Sequence, residues 1–223
     1  MKIIVLDAGP LISLALNGLL HTIELLRAKF PEIVFVITPS VKKEVIDNAM
    51  KIKKYKLEAV KIQTMIDKKI LISSSEFVSN NSLDKEEKRI LSVANSSYKA
   101  DGKFLSIVHS GEASCLAFAN LCECDNLIAI DERATRLFTE SPENLKQIME
   151  KKLHIPVLMS SKNFKEFKNF KFIRSTELVY LAYKNNLYDY KKNSSTLDAL
   201  LYALKYSGVS ISSKEINEMK LLG

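Results

Sequence analysis

The chain has 223 residues, a formal net charge of +7, 47% hydrophobic and 26% charged residues. That balance fits one globular domain, or one domain with an appendage, whose basic surface suits a polyanionic partner. Six glycines and five prolines exclude a collagen-like or linker-dominated chain, and no run approaches the ~18 apolar residues of a membrane span.

"KIIVL" at 2–6 is a continuous, β-branched apolar run followed by a turn signal. It reads as a buried strand of a parallel sheet, not as a signal peptide. "PLISLALNGLLHTIELLRAKF" is helical with a break near Asn17-Gly18, and "IVFVI" at 33–37 is a second buried strand. Thr38 and Pro39 then form an N-cap and first helical residue, with Val41, Val45 and Met50 on the apolar face. A lysine-rich helix is expected over 51–68, a short strand over 69–72, and an amphipathic helix after a Ser82 cap. Ser110 is expected to cap a helix carrying Ala113, Leu116, Ala117 and Leu121 at the helical period. "NLIAI" at 126–130 is another buried strand. Ser141 and Pro142 open a further helix, and "IPVLM" is a last strand. From Ser161 onward the pattern predicts helices only, around 162–169, 176–186, 195–207 and 213–222. Strands alternating with helices predict an α/β fold with a mainly parallel sheet. The expected organisation is a core over 1–160, with an additional helical segment around 51–107, and a helical extension over 161–223 packed on the core.

Cys115, Cys122 and Cys124 are odd in number, and the C-x-C pair has no partner pair at zinc spacing. They are expected as reduced thiols of a cytoplasmic protein. His21, His109 and His154 show no ligand spacing.

Asp7 ends the first strand and Asp131 ends the strand at 126–130, and sites in open parallel sheets form beyond the carboxyl ends of strands. Glu44 lies early in the helix that leaves the second strand, and Glu112 in the first turn of its own helix. Each acid also has a plain structural role, as a turn former, a helix-start charge or a solvated side chain. Brought to one edge, they would repel unless their pKa values rise or a cation joins them. An oxygen-only set selects a hard ion, Mg²⁺ or Mn²⁺, which favours a phosphodiester substrate. Lys42, Lys43, Arg133 and Arg136 flank these acids and are candidate nucleic-acid-binding residues.

"VLDAGPLISLA", "TPSVKKEV", "GEASCLAFA" and "LIAIDERATR" resemble, in order, the segments of PIN-domain proteins. The likeness is to the prokaryotic branch of predicted nucleic-acid-binding PIN proteins of unknown function, with a GEA helix, an IDxR segment and a helical tail. It covers residues 1–50 and 108–222. The resemblance implies a three-layer α/β/α fold and an endoribonuclease that cleaves single-stranded RNA with Mg²⁺ or Mn²⁺. Residue by residue, it carries the catalytic and metal-binding role to Asp7, Glu44, Glu112 and Asp131. Gly9 stands where many members have Ser or Thr, which removes one polar contact. Residues 51–107 have no counterpart in it. The partners it implies are RNA, with a homodimer and an antitoxin-like protein left open, and no membrane.

Two other readings stand beside it. One is a binding module of the same fold, holding RNA or protein with little or no cleavage. The other is an aspartyl phosphohydrolase of the haloacid-dehalogenase type, which needs a second Asp two residues after Asp7, where Gly9 stands. A dinucleotide site is disfavoured, because "DAGPLI" lacks G-x-G-x-x-G.

Overall fold

A computed structural model describes every residue of the chain except 161, 162, 168 and 223. In chain order, β1 (Lys2–Leu6) leads through Asp7 into α1 (Ala8–Leu16), then α2 (His21–Lys29) and β2 (Ile33–Ile37). α3 (Pro39–Lys42) runs on as a wide π-type turn, Lys43–Asn48, and a tight turn, Ala49–Lys51. α4 (Lys56–Asp67), β3 (Leu71–Ser73), α5 (Asn80–Ala94), β4 (Tyr98–Ala100) and β5 (Lys103–Phe104) fill the middle of the chain. α6 (Ser110–Leu121), β6 (Asp125–Ala129), α7 (Arg133–Glu140), α8 (Pro142–Leu153) and β7 (Val157–Met159) follow. The tail holds β8 (Phe172–Ile173), α9 (Ser175–Lys184), α10 (Ser194–Tyr206) and α11 (Ser213–Leu221).

β3-β2-β1-β6-β8 form one five-stranded sheet in which every pairing is parallel. Helices flank it in an α/β/α arrangement. α6 packs on β1 and β6, with α5 against α6, while α2 lies near β2 and α9 near α1 and α2. β1 and β2 are nearly continuous apolar runs because both faces of a parallel sheet are covered. Ile3, Val5, Leu6, Phe35, Val36 and Ile128 are fully enclosed. The strand order reverses direction at β1, where β2 lies on one side and β6 on the other. This is the switch point at which parallel sheets open a crevice beyond their carboxyl ends.

Several expectations are corrected. The lysine-rich helix starts at Lys56, because Ile52–Tyr55 interrupt it. Ser79, not Ser82, caps α5. His109 holds the N-cap position of α6, which makes Ser110 its first helical residue. Ser141 stands at the cap of α8 without a side-chain bond. β7 does not join the main sheet; it pairs antiparallel with β4, which also pairs with β5. The tail is not helices alone, since β8 forms an edge of the central sheet beside β6. Of the helix expected over 162–169, residues 162 and 168 lie outside the described residues, and Asn163–Phe167 form a 3-10 turn. Cys122 and Cys124 are not separate thiols but are disulfide-bonded, their Cα atoms 5.3 Å apart where α6 gives way to extended chain. Cys115 is free and buried within α6. Among the described residues no single helix is long and apolar enough to cross a membrane.

Candidate metal centre

Asp7 is set by β1. Its amide donates to the Ala129 carbonyl (3.0 Å), so the strand pairing of β1 with β6 continues to the acid itself. Its side chain caps α1, and Oδ2 accepts from the Gly9 amide at 3.4 Å. The residue is 6% exposed. Asp131 follows β6 and is equally enclosed. Its Oδ2 accepts from the Ser13 and Ser175 hydroxyls, both at 2.8 Å, and its Oδ1 from the Ser175 amide, also at 2.8 Å. Asp131 thus ties α1 and the start of α9 to the edge of the sheet.

Glu112 lies in the first turn of α6. Its Oε2 accepts from the His109 amide (2.8 Å) and its Oε1 from the Thr135 hydroxyl (2.6 Å). Part of its role is therefore helix capping. Glu44 is exposed in the wide turn after α3. That segment is held by the Thr38 hydroxyl, 2.6 Å from the Ser114 hydroxyl of α6. Glu87 of α5 joins the two helix starts, accepting from Ser40 (2.7 Å) and from Ser110.

The two glycines beside the acids show how closely these meet. A side chain starting on Gly111 would begin 3.1 Å from Asp7 Oδ1 and 3.2 Å from Glu44 Oε2. One on Gly9 would begin 3.5 Å from Asp131 Cβ and 3.6 Å from Asp7 Oδ2. Asp7 and Glu44 therefore converge over Gly111, the neighbour of Glu112, while Asp131 stands behind Gly9 on the other side of Asp7. All four sequence-chosen acids lie on one edge, but they are not equivalent. Glu112 and Asp131 accept hydrogen bonds from Thr135, Ser13 and Ser175, far along the chain, whereas among the described residues Asp7 and Glu44 have no such distant donor.

Burial, and then the charge of Glu112, push the Asp7 pKa up to about 8 against the pull of the Ala8 and Gly9 amides. Burial also raises Glu112, opposed by the Thr135 hydroxyl and the His109 amide and reinforced by Glu132. Asp131 is raised by burial, against its Ser175 and Ser13 donors. Burial raises Glu44, and His109 opposes it. Neither Asp7 nor Glu44 forms an ion pair among the described residues. Carboxylates gathered in this way are electrostatically unfavourable unless protonated or joined by a cation.

Residues not singled out from the sequence complete the surroundings. His109, Glu112 and Glu132 bring one ligand atom each to within 4.8 Å of one another, a second grouping able to hold a metal ion. His109 was set aside because the histidines lack spacing among themselves. Of its partners, Glu112 lies three residues on in the chain, whereas Glu132 is close to it only in space. Glu132 adjoins Asp131 in "IDER", and two successive acids after a buried strand were the available signal. Ser13, a hydroxyl on the buried face of α1, was another. Of the cationic candidates, Lys42 and Lys43 are exposed beside Glu44, Arg133 is exposed at the start of α7, and Arg136 is half-buried one turn later. No family model, curated protein or solved structure matches the chain.

Proposed function

We propose that this chain is a metal-dependent endoribonuclease of the PIN kind, cleaving single-stranded RNA with Mg²⁺ or Mn²⁺ at the acidic edge of its sheet. The observation that carries the reading is the approach of Asp7 Oδ1 and Glu44 Oε2 over Gly111, beside buried Glu112 and with no ion pair among the described residues. Oxygen donors with raised pKa values suit a hard divalent ion, which offsets their repulsion. Asp7 and Glu44 would hold it, with Glu112 alongside. When bound, such an ion offsets charge on a phosphoryl oxygen and makes a water more acidic. The chain's own part is placement. β1 and the α1 cap fix Asp7, Thr135 and the His109 amide fix Glu112, and Ser13 and Ser175 fix Asp131. Glu132 lies against Glu112 and reinforces the rise of its pKa. Lys42, Lys43, Arg133 and Arg136 supply a basic rim for the strand. The absence of a G-x-G-x-x-G turn and of an acid at position 9 argues against nucleotide-cofactor and aspartyl-phosphatase chemistry.

A second reading, a binding module without cleavage, is favoured by one observation. Glu112 and Asp131 are engaged by protein donors, which leaves a narrow set of unpartnered oxygens. The two readings part in one experiment. Purified wild type, Asp7→Asn and Glu44→Gln are incubated with a single-stranded RNA, Mn²⁺ or Mg²⁺, and a chelator control. The nuclease reading expects metal-stimulated cleavage that falls about 100-fold or more in Asp7→Asn, a loss of at least ~2.7 kcal/mol of barrier lowering. Wild type that binds RNA but never cuts it with any metal supports the binding module. Cleavage unchanged in both variants places the activity elsewhere.

A further inference from the structure

A cavity of about 620 Å³ lies between α7 and the turn joining α10 to α11, lined by Arg133, Arg136, Arg174 and Lys205. Glu140 and Glu215 also line it, so cations outnumber acids. Arg174 is already committed, donating to Glu177 Oε1 from Nε at 2.8 Å and to Glu215 Oε1 from Nη1 at 2.7 Å. Arg136 is not. Among the described residues its guanidinium reaches only the carbonyl oxygens of Glu132 and Ser210, both at 3.4 Å, and forms no ion pair. Burial first, and the Arg174 guanidinium second, lower the Arg136 pKa, against the opposing charges of Glu177, Glu140 and Asp131. A half-buried guanidinium with no ion pair among the described residues, beside a second guanidinium, suits a phosphate, by a planar two-pronged contact. Leu137, Val209 and Ile211 give the same cavity an apolar wall, and its size lies within the ~300–1,000 Å³ of small-ligand pockets. The wall also touches the acidic edge directly, since the Ser210 amide donates to the Asp131 carbonyl at 3.3 Å.

We propose that this cavity is a phosphate subsite, in which Arg136, backed by Lys205, grips a backbone phosphodiester of the single strand that passes the acidic edge. The tail beyond α9 would then help to bind substrate. The proposal deepens the ribonuclease reading and rests on it for the identity of the strand.

The test measures binding of a fluorescent 12-residue oligouridylate by anisotropy over a salt series, in wild type, Arg136→Gln, Lys205→Gln and Asp7→Asn. Inorganic phosphate is a separate probe, followed by calorimetry. Arg136→Gln is expected to weaken oligouridylate binding about tenfold and to flatten the salt slope by ~0.7, one phosphate contact on a single strand. Lys205→Gln is expected to weaken binding about threefold. Its side chain donates to the exposed Ser213 hydroxyl and lies over the Tyr202 ring, so it guards against Arg136→Gln failing by misfolding, which melting temperatures would reveal. Asp7→Asn enters as the variant that separates cleavage from binding. Oligouridylate affinity and salt slope unchanged in Arg136→Gln and Lys205→Gln would overturn the subsite. So would inorganic phosphate binding that Arg136→Gln abolishes while oligouridylate binding stays intact, because the pocket would then serve a free anion. Loss of binding in Arg136→Gln in a protein that never cuts RNA would retain the subsite and remove the nuclease reading. Cleavage abolished by Asp7→Asn, with Arg136→Gln binding normally, would do the reverse.

Discussion

Asp7 serves two ends that conflict. It caps α1, and it keeps a carboxylate almost out of water beside other acids. Its pKa, raised to about 8 chiefly by burial, means that the folded state holds the proton more tightly than the unfolded chain does. For an acid raised in this way, stability is lost as pH climbs from the unfolded value toward about 8. Asp7→Asn removes the charge and keeps a capping oxygen, and Asn caps as well as Asp. The variant is expected to be more stable than the metal-free wild type at pH 8, by roughly 1–3 kcal/mol, with the gap closing toward pH 4. Chemical melts at the two pH values in chelator check this, and a variant less stable at pH 8 would show that the charge is already compensated. The glycines allow a paired test. Gly111→Ala puts a carbon 3.1 Å from Asp7 Oδ1, whereas Gly9→Ala meets only ordinary contacts at 3.5 Å and beyond. Mn²⁺ affinity is expected to drop about tenfold in Gly111→Ala, ~1.4 kcal/mol, and to stay near wild type in Gly9→Ala. Equal affinities in titration calorimetry would place the ion away from Gly111.

α11 is attached at its start through Glu215 and Arg174, and near its end through Lys220 and Asp198. Burial works to raise the Glu215 pKa, but the Ser212 amide and the Arg174 guanidinium outweigh it and hold the carboxyl at about 2. A carboxylate lowered on folding contributes stability above its unfolded pKa and loses it as pH falls toward the folded one. The attachment is therefore expected to loosen between about 4.5 and 2. Amide hydrogen exchange in α11 should quicken across that window in wild type, and Glu215→Gln should exchange alike at both ends. A wild-type helix with no pH response beyond the intrinsic exchange rate would deny Arg174 this role. Elements differ in how clearly the sequence announces them. β1 and β2 are legible because their enclosed residues, four in β1 and three in β2, lie within unbroken apolar runs, and the start of α3 because Thr38 and Pro39 mark it. β6 was read one residue late, as its first residue is the exposed Asp125. α7 went unread, since it opens with charged residues and its buried face is little more than Thr135 and Phe138. β4 and β8 are three and two residues long, too short to show any period, and only their distant partners define them. The same limit applies to the site. Strand-end acids stand out locally, whereas Ser13, Thr135 and Ser175 matter through partners far away in the chain.

At the scale of the whole molecule, the segment after residue 160 is built into the sheet it was expected to lean on. β8 pairs with β6 through Ile128–Phe172 and Ala129–Ile173, and the backbone amides of Ile128 and Ile130 donate to Lys171 and Ile173. Ser175 then supplies two of the three hydrogen bonds to the Asp131 carboxylate. Leu178, Val179, Leu201, Leu204 and Ile216 belong to the same buried cluster as Leu11, Leu14 and Ile23. A chain cut after residue 160 would expose β6 as an edge, strip a buried carboxylate of its amide donor, and open the apolar faces of α1 and α2 to water. Each buried Leu or Ile left without cover costs roughly 1.5–3 kcal/mol, and a domain has only ~5–15 kcal/mol of net stability to lose. Residues 1–160 alone are therefore expected to aggregate, or to melt without a cooperative transition, in scanning calorimetry and gel filtration. Ser175→Ala in the full chain is expected to fold and to melt lower by about 1 kcal/mol, because it removes one donor and keeps the amide. A soluble 1–160 fragment with a sharp melt would make the tail an appendage. The phosphate subsite, whose walls come partly from that tail, would then be free to vary without touching the acidic edge.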